Sequence, residues 1–201
     1  MQYGGMTNTP TPNPLPEVLS QDHVFLAVES TDLDGRIIKI QISDHNGNLI
    51  LDTLVHPRWK IKKGNAQLKH HITDEMASNA PRWKDLLPAI ANLTQGKKVI
   101  VYNAKFMSAV FYTTSLKYHT TYLNLDLFCL MEATAQIIGI WSEYRQAYIP
   151  VKLFDACFDN SIKYNAHKKA LMLYELANVL KNKWCLQNND KAALRPLFCF
   201  V

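Results

Sequence analysis

The run His23-Val24-Phe25-Leu26-Ala27-Val28-Glu29-Ser30-Thr31 is apolar, has strand composition, and ends in one carboxylate and two hydroxyls. Side chains alternate along a strand, so Ala27 and Glu29 share one face. Far along the chain, His167 is followed by Lys168 and Lys169. A carboxylate, an imidazole and paired ammonium groups are parts for proton transfer, cation binding or phosphate contact. Lys97-Lys98 and Lys60-x-Lys62-Lys63 are further basic clusters that could track phosphates, although solvated loop or helix ends explain any one of them. Trp59, Trp83, Trp141, Tyr144 and Tyr148 could stack bases. Trp83, at a helix start, is better read as packing on a sheet. Trp141, Tyr144, Tyr148 and Arg145 form a large amphipathic surface that suits either a stacked strand or another contact. His70 and His71 do not make a metal site, because adjacent side chains diverge and no third ligand is near in sequence.

The 201 residues suffice for one domain with a substantial core. Apolar residues make up 48% and charged residues 19%, as in an ordinary globular protein. A formal charge of +5 permits a polyanionic partner without demanding one. Cys129, Cys157, Cys185 and Cys199 lie far apart, with no C-x-x-C pair, which reads as free thiols in a reducing cytosol. No basic start leads into an apolar core, and no apolar run reaches the length of about 18 residues that a membrane span needs. A cytoplasmic protein without membrane insertion is expected.

The elements that must position these groups follow in order. Residues 1–21 carry Gly4-Gly5 and four prolines and read as a disordered leader. Strands are expected over 23–29, 36–43 and 49–55, the last two joined by an Asn46-Gly47 turn and the whole forming an antiparallel meander. Thr73 should cap a helix start. Pro81-Arg82-Trp83 opens another helix, ending near Gly96, that Pro88 could kink or break. A fourth strand covers 98–102, a helix runs from Asn103 to about Leu116, and a fifth strand covers 122–128. Helices follow over about 129–138 and 152–158, then 166–181, with an aromatic loop at 139–150 between the first two. The domain is expected over 22–182, and 183–201 as a tail. Its last residues, Leu194 to Val201, are apolar enough to fold back on the domain or to meet a partner. Three antiparallel strands followed by alternating strands and helices give an α/β fold with a mixed five-stranded sheet flanked by helices.

Seven segments in this order resemble one family, the DnaQ-like (DEDDh) 3′–5′ exonucleases of ribonuclease H-like fold. They are Leu51-Asp52-Thr53-Leu54-Val55-His56-Pro57, His70-His71-Ile72-Thr73-Asp74-Glu75-Met76, Tyr102-Asn103-Ala104-Lys105-Phe106, Cys129-Leu130-Met131-Glu132, Trp141-Ser142-Glu143, Lys152-Leu153-Phe154-Asp155-Ala156-Cys157 and Ala166-His167. The resemblance spans roughly residues 22–182. It implies four carboxylates holding two Mg²⁺ or Mn²⁺ ions about 4 Å apart, with a histidine as general base.

Here those four acidic positions read Ala27, Glu29, Met107 and Met172, and the histidine position is His167. A thioether is a poor ligand for Mg²⁺, and Glu29 alone cannot pin two cations. The chain is therefore expected to be a pseudoexonuclease with no catalytic residue, no metal and no cofactor, in which Ala27, Met107 and Met172 fill the former metal cleft. It would act as a scaffold for a protein partner or nucleic acid, with Tyr102, Asn103, Trp141, Tyr144, Arg145, Lys168 and Lys169 as contacts. The alternative is an active metal-dependent 3′–5′ exonuclease with displaced ligands, built on Glu29, His167 and Glu175. Glu175 shares a helix face with Met172 but reads better as a solvated surface charge. Asp126, Glu132 and Asp155 have no spacing that brings them in. Oligomeric state is not encoded in any of these features.

Overall fold

The computed structural model describes residues 13–32, 35–61 and 64–193. Order begins earlier than the prolines suggest. Asn13 is buried, donates to the Ala133 carbonyl at 2.9 Å and accepts the Leu15 N–H at 3.0 Å. That contact starts α1 (Leu15–Val18), whose Leu15 and Val18 are buried in the core. The leader expected over 1–21 is thus corrected from Asn13 onward. Proline is tolerated where a helix begins, and two apolar side chains suffice to tie the segment down. Residues 1–12 lie outside the described chain.

Five strands form one sheet in the order β3-β2-β1-β4-β5: β1 (His23–Ser30), β2 (Ile37–Ser43), β3 (Leu49–Leu54), β4 (Lys98–Val101) and β5 (Leu127–Cys129). The first three are antiparallel, as their tight turns require, with Ala27 opposite Gln41 and Glu29 opposite Lys39. At the second turn Gly47 sits at φ 81° while the Asp44 carboxylate accepts the Asn46 and Asn48 N–H groups. Parallel pairing of β4 to β1 and of β5 to β4 completes the mixed α/β sheet. Strand five is shorter than its apolar alternation suggests, because residues 121–126 run along the surface with Tyr122, Asn124 and Asp126 exposed.

Short helices α2 (Asn65–His70) and α3 (Asp74–Ala77) follow the meander, and Thr73 caps the second through the Met76 N–H at 3.4 Å. Next comes α4 (Trp83–Thr94), which Pro88 does not break. Pro88 is on the exposed face, where water can take the carbonyl that its missing N–H leaves free. Buried Trp83 packs edge-on against Phe111 at 5.5 Å. After β4 comes α5 (Ala104–Tyr118), and after β5 comes α6 (Leu130–Ile138). The aromatic segment forms a small hairpin, β6 (Trp141–Ser142) with β7 (Ala147–Tyr148), and α7 (Leu153–Asp159) follows. The last helix, α8 (Lys169–Ala193), starts later than expected and passes through the boundary expected at 182. Residues 194–201, including the apolar terminus, lie outside the described chain. None of the described helices is long and apolar enough to cross a membrane.

Alternation along β1 divides the core. Phe25 and Ala27 join α8 residues Ala170, Met172, Leu173 and Leu176 on one side. Val24, Leu26 and Val28 join Trp83, Ile90, Val110 and Phe111 on the other. Glu29 follows Ala27 on the first side, and the start of α8 comes to meet it.

Candidate functional site

Strand β1 ends where β4 hands over to α5, and α8 begins opposite both. Asn103 fixes the β4–α5 turn by accepting the Phe106 N–H at 3.0 Å, which caps the helix. Tyr102 beside it donates its hydroxyl to the Val151 carbonyl at 2.8 Å, and burial pushes its phenol well above the ordinary tyrosine range. Between these elements lies a groove of about 210 Å³ whose walls include Ala27, Tyr102, Asn103, Met107, Tyr164 and Lys169. Ala27 and Met107 are 6% and 4% exposed, so the groove is shallow and apolar where they line it.

Met172, expected to share that space, does not line it. The side chain is buried in the core behind, and its sulfur accepts the Asn165 N–H at 3.0 Å. A methionine there holds the approach to α8 in place, which a free carboxylate could also do only by burying its charge.

The central contact of the site is an ion pair. Lys169 Nζ lies 2.5 Å from Glu29 Oε1, with side chains 24% and 12% exposed. Sequence reading grouped Lys169 with the phosphate-contacting lysines, but the fold engages it with Glu29; neighbouring Lys168 is exposed. The two lysines are adjacent in the chain, and no local pattern could have distinguished the paired one.

His167 stands before α8 rather than on it. Its carbonyl accepts Gln41 Nε2 at 2.6 Å and Lys39 Nζ at 3.1 Å, while its side chain is exposed. A small cavity of about 80 Å³ brings Glu29, Lys39, His70, His71 and His167 to its walls. His70 is buried there. Its Nδ1 accepts the Ile72 N–H at 3.0 Å, and burial holds the imidazole below its ordinary pKa, although the Glu29 charge pulls the other way. Sequence reading placed His70 in a motif segment without a role. Burial also raises the Tyr164 phenol, and the charge of Glu29 adds to that.

The remaining expected residues lie outside the groove. Glu175 is exposed on α8. Trp141, Tyr144 and Arg145 belong to the β6–β7 hairpin, where Tyr144 is 96% exposed and Trp141 packs edge-on against Tyr148 at 5.2 Å. Lys97 and Lys98 are met by Asp22 and Asp126 at 3.7 and 2.7 Å. Lys62 and Lys63 lie outside the described residues.

Two Mg²⁺ or Mn²⁺ ions do not fit this donor set. Glu29 is engaged by an ammonium group, Ala27 and Met107 offer no oxygen side chain, and Met172 offers a thioether already facing an amide. Among the described residues, no group of three or more His, Cys, Asp or Glu side chains converges as a metal site.

No family model matches the sequence. An uncharacterized exonuclease of Escherichia phage 186 is 35% identical over 162 residues, covering 75% of this chain and 81% of that protein. Exonuclease X, solved in complex with 5′ overhanging duplex DNA, matches with a TM-score of 0.55 at 17% identity, over 78% of this chain and 91% of its own. The nuclease domain of 3′hExo, a DEDDh family member solved with rAMP, matches with a TM-score of 0.58 at 12% identity, over 84% and 93%. Such identities speak for the fold. The phage protein extends the match to sequence over most of both chains, and with the mixed sheet and the ordered motif segments it establishes that the chain belongs to the DnaQ-like (DEDDh) 3′–5′ exonuclease family of ribonuclease H-like fold.

Proposed function

We propose that this chain is a catalytically silent member of its family that binds single-stranded nucleic acid in the cytosol. The observation that carries the reading is the Lys169–Glu29 ion pair, beside a groove where two of the family's other acidic positions read Ala27 and Met107. Phosphodiester hydrolysis in this family depends on cations that polarise the phosphate and lower the pKa of the attacking water. With an ammonium group on the one remaining carboxylate, Glu29 is committed to holding α8 against β1. His167 has no activated water to deprotonate.

Nucleic acid is favoured over a protein partner by the chemistry of the groove. The Asn103 amide and the aromatic groups of Tyr102, Phe106 and Tyr164 offer hydrogen bonding and ring faces together, and Lys168, exposed one residue before the paired Lys169, adds a cation. Exonuclease X was solved with DNA and the 3′hExo nuclease domain with rAMP, which makes nucleic acid the natural ligand class to test.

The test is incubation of 5′-labelled single-stranded DNA and RNA with excess Mn²⁺, beside the Glu29→Ala variant. Strands of unchanged length, or equal residual shortening in both proteins, are expected. Shortening that disappears in Glu29→Ala would overturn the reading in favour of an active nuclease.

A further inference from the structure

A second cavity, sharing no wall residue with the groove, gathers positive charge. It has a volume of about 440 Å³ and is lined by His56, Arg58, Arg82, Lys84 and Tyr118. These residues come from the exit of β3, the start of α4 and the end of α5. We propose that this cavity is a nucleic-acid contact that takes the phosphodiester backbone of a single strand, which rests on the reading that the chain binds nucleic acid.

Construction of the wall supports the assignment. Tyr118 donates its hydroxyl to the His56 carbonyl and accepts the Arg58 N–H, each at 3.3 Å, so it pins the segment that carries Arg58. Trp59 then holds Arg58, whose guanidinium group lies 4.9 Å from its ring centroid, with Arg36, outside the cavity wall, at 5.0 Å. Arg36 also donates to the Trp59 carbonyl at 3.2 Å. Cation–π contacts hold a guanidinium without neutralising it. Arg82 is the N-cap residue of α4 and Lys84 stands in its first turn, where the helix dipole adds positive potential.

These charges are uncompensated within the described chain. Its ion pairs engage Lys39, Lys97, Lys98 and Lys169, whereas Arg58, Arg82 and Lys84 meet no described carboxylate. Asp85, the acid of the same helical turn, does not line the cavity. The cations are on exposed residues around an open space larger than one phosphate needs, rather than converging on a buried point. That suits successive phosphates of a strand, each neutralised with release of a counterion.

Fluorescence anisotropy of a labelled oligothymidylate with the full chain, across about 50 to 200 mM salt, tests this. The double variant Arg82→Glu with Lys84→Glu should bind about tenfold more weakly or worse, and its log–log salt slope should be shallower by about 1.4, at about 0.7 per lost contact on a single strand. Acidic residues in a first helical turn favour the helix, so the variant should fold, and an unchanged melting temperature checks that. Arg58→Ala, which leaves α4 untouched, should weaken binding independently. Lys181→Glu with Lys183→Glu on α8 makes the same change in net charge elsewhere and should cost far less. Equal losses in both double variants would reduce the effect to net charge and overturn the site. Unchanged binding by the α4 variant would overturn the site while leaving the nucleic-acid reading intact. Absence of strand binding by the unmodified chain would overturn both. Full release of the strand by inorganic phosphate at matched ionic strength would assign the cavity to a free anion and overturn the strand assignment.

Discussion

The groove beside Ala27 and the cavity beside Arg58 handle charge in opposite ways. At the groove, Lys169 on the wall faces Glu29, the one acidic group left from the family's set, and alanine and methionine fill neighbouring positions. In the cavity, Arg58 is held by Trp59 and Tyr118, and it, Arg82 and Lys84 meet no described carboxylate. Charge neutralised internally contributes to holding elements together, while charge held without a counterion is available to a ligand. The contrast separates charge held by the fold from charge left to a ligand within a single family fold, and on the proposed reading affinity resides away from the position of the family's catalytic centre.

The sharpest way to break this comparison is to put charge back into the core behind the groove. Met172→Asp, at a position 2% exposed, should lower unfolding stability by about 4 kcal/mol in metal-free buffer at pH 7, read from denaturant midpoints. An unchanged midpoint would mean the cleft still accommodates carboxylates without cations. A smaller effect is expected at the ion pair. Lys169→Met should cost about 2 kcal/mol by stranding a largely buried Glu29, and adding Glu29→Gln should recover part of it. If the double variant is no more stable than the single, the pair is not what holds α8 to β1.

The mildest effect is a pH dependence. Burial keeps His70 neutral below its ordinary value of 6.5, with the Lys169 charge acting in the same direction and Glu29 opposing it. As pH falls past 6.5 the unfolded chain takes up this proton first, so stability present above that value declines toward the folded pKa. Protonation would also cost Nδ1 its bond from the Ile72 N–H. His70→Gln should flatten that part of the acid limb in pH-dependent denaturation, and an identical slope would remove His70 from the account.

Much of the fold was legible because its signals are local. Asp44, Asn46 and Gly47 specify a turn through contacts within a few residues, and Thr73 caps its helix through an N–H three residues away. The alternation in β1 announced which side of the strand Ala27 and Glu29 would share. Where reading failed, the deciding contact was distant. Asn13 meets Ala133, which turns a proline-rich leader into a docked segment. Carbonyl contacts from His167 to Lys39 and Gln41 hold that residue off the helix it was expected to join. Lengths also drifted where exposure outweighed apolar alternation, as at 121–126.

By itself, then, the sequence determined the strand and helix order, the family resemblance, and the absence of carboxylates at Ala27, Met107 and Met172, because each is carried by residue identity or short-range spacing. Only the tertiary structure decided that Lys169 neutralises Glu29, that Met172 packs behind the groove, and that His56, Arg58, Arg82 and Lys84 line one cavity. These depend on which side chains meet across β1, α4, α5 and α8. Such encounters arise from packing apolar faces together, and the charged residues carried along have no spacing in the chain that records them.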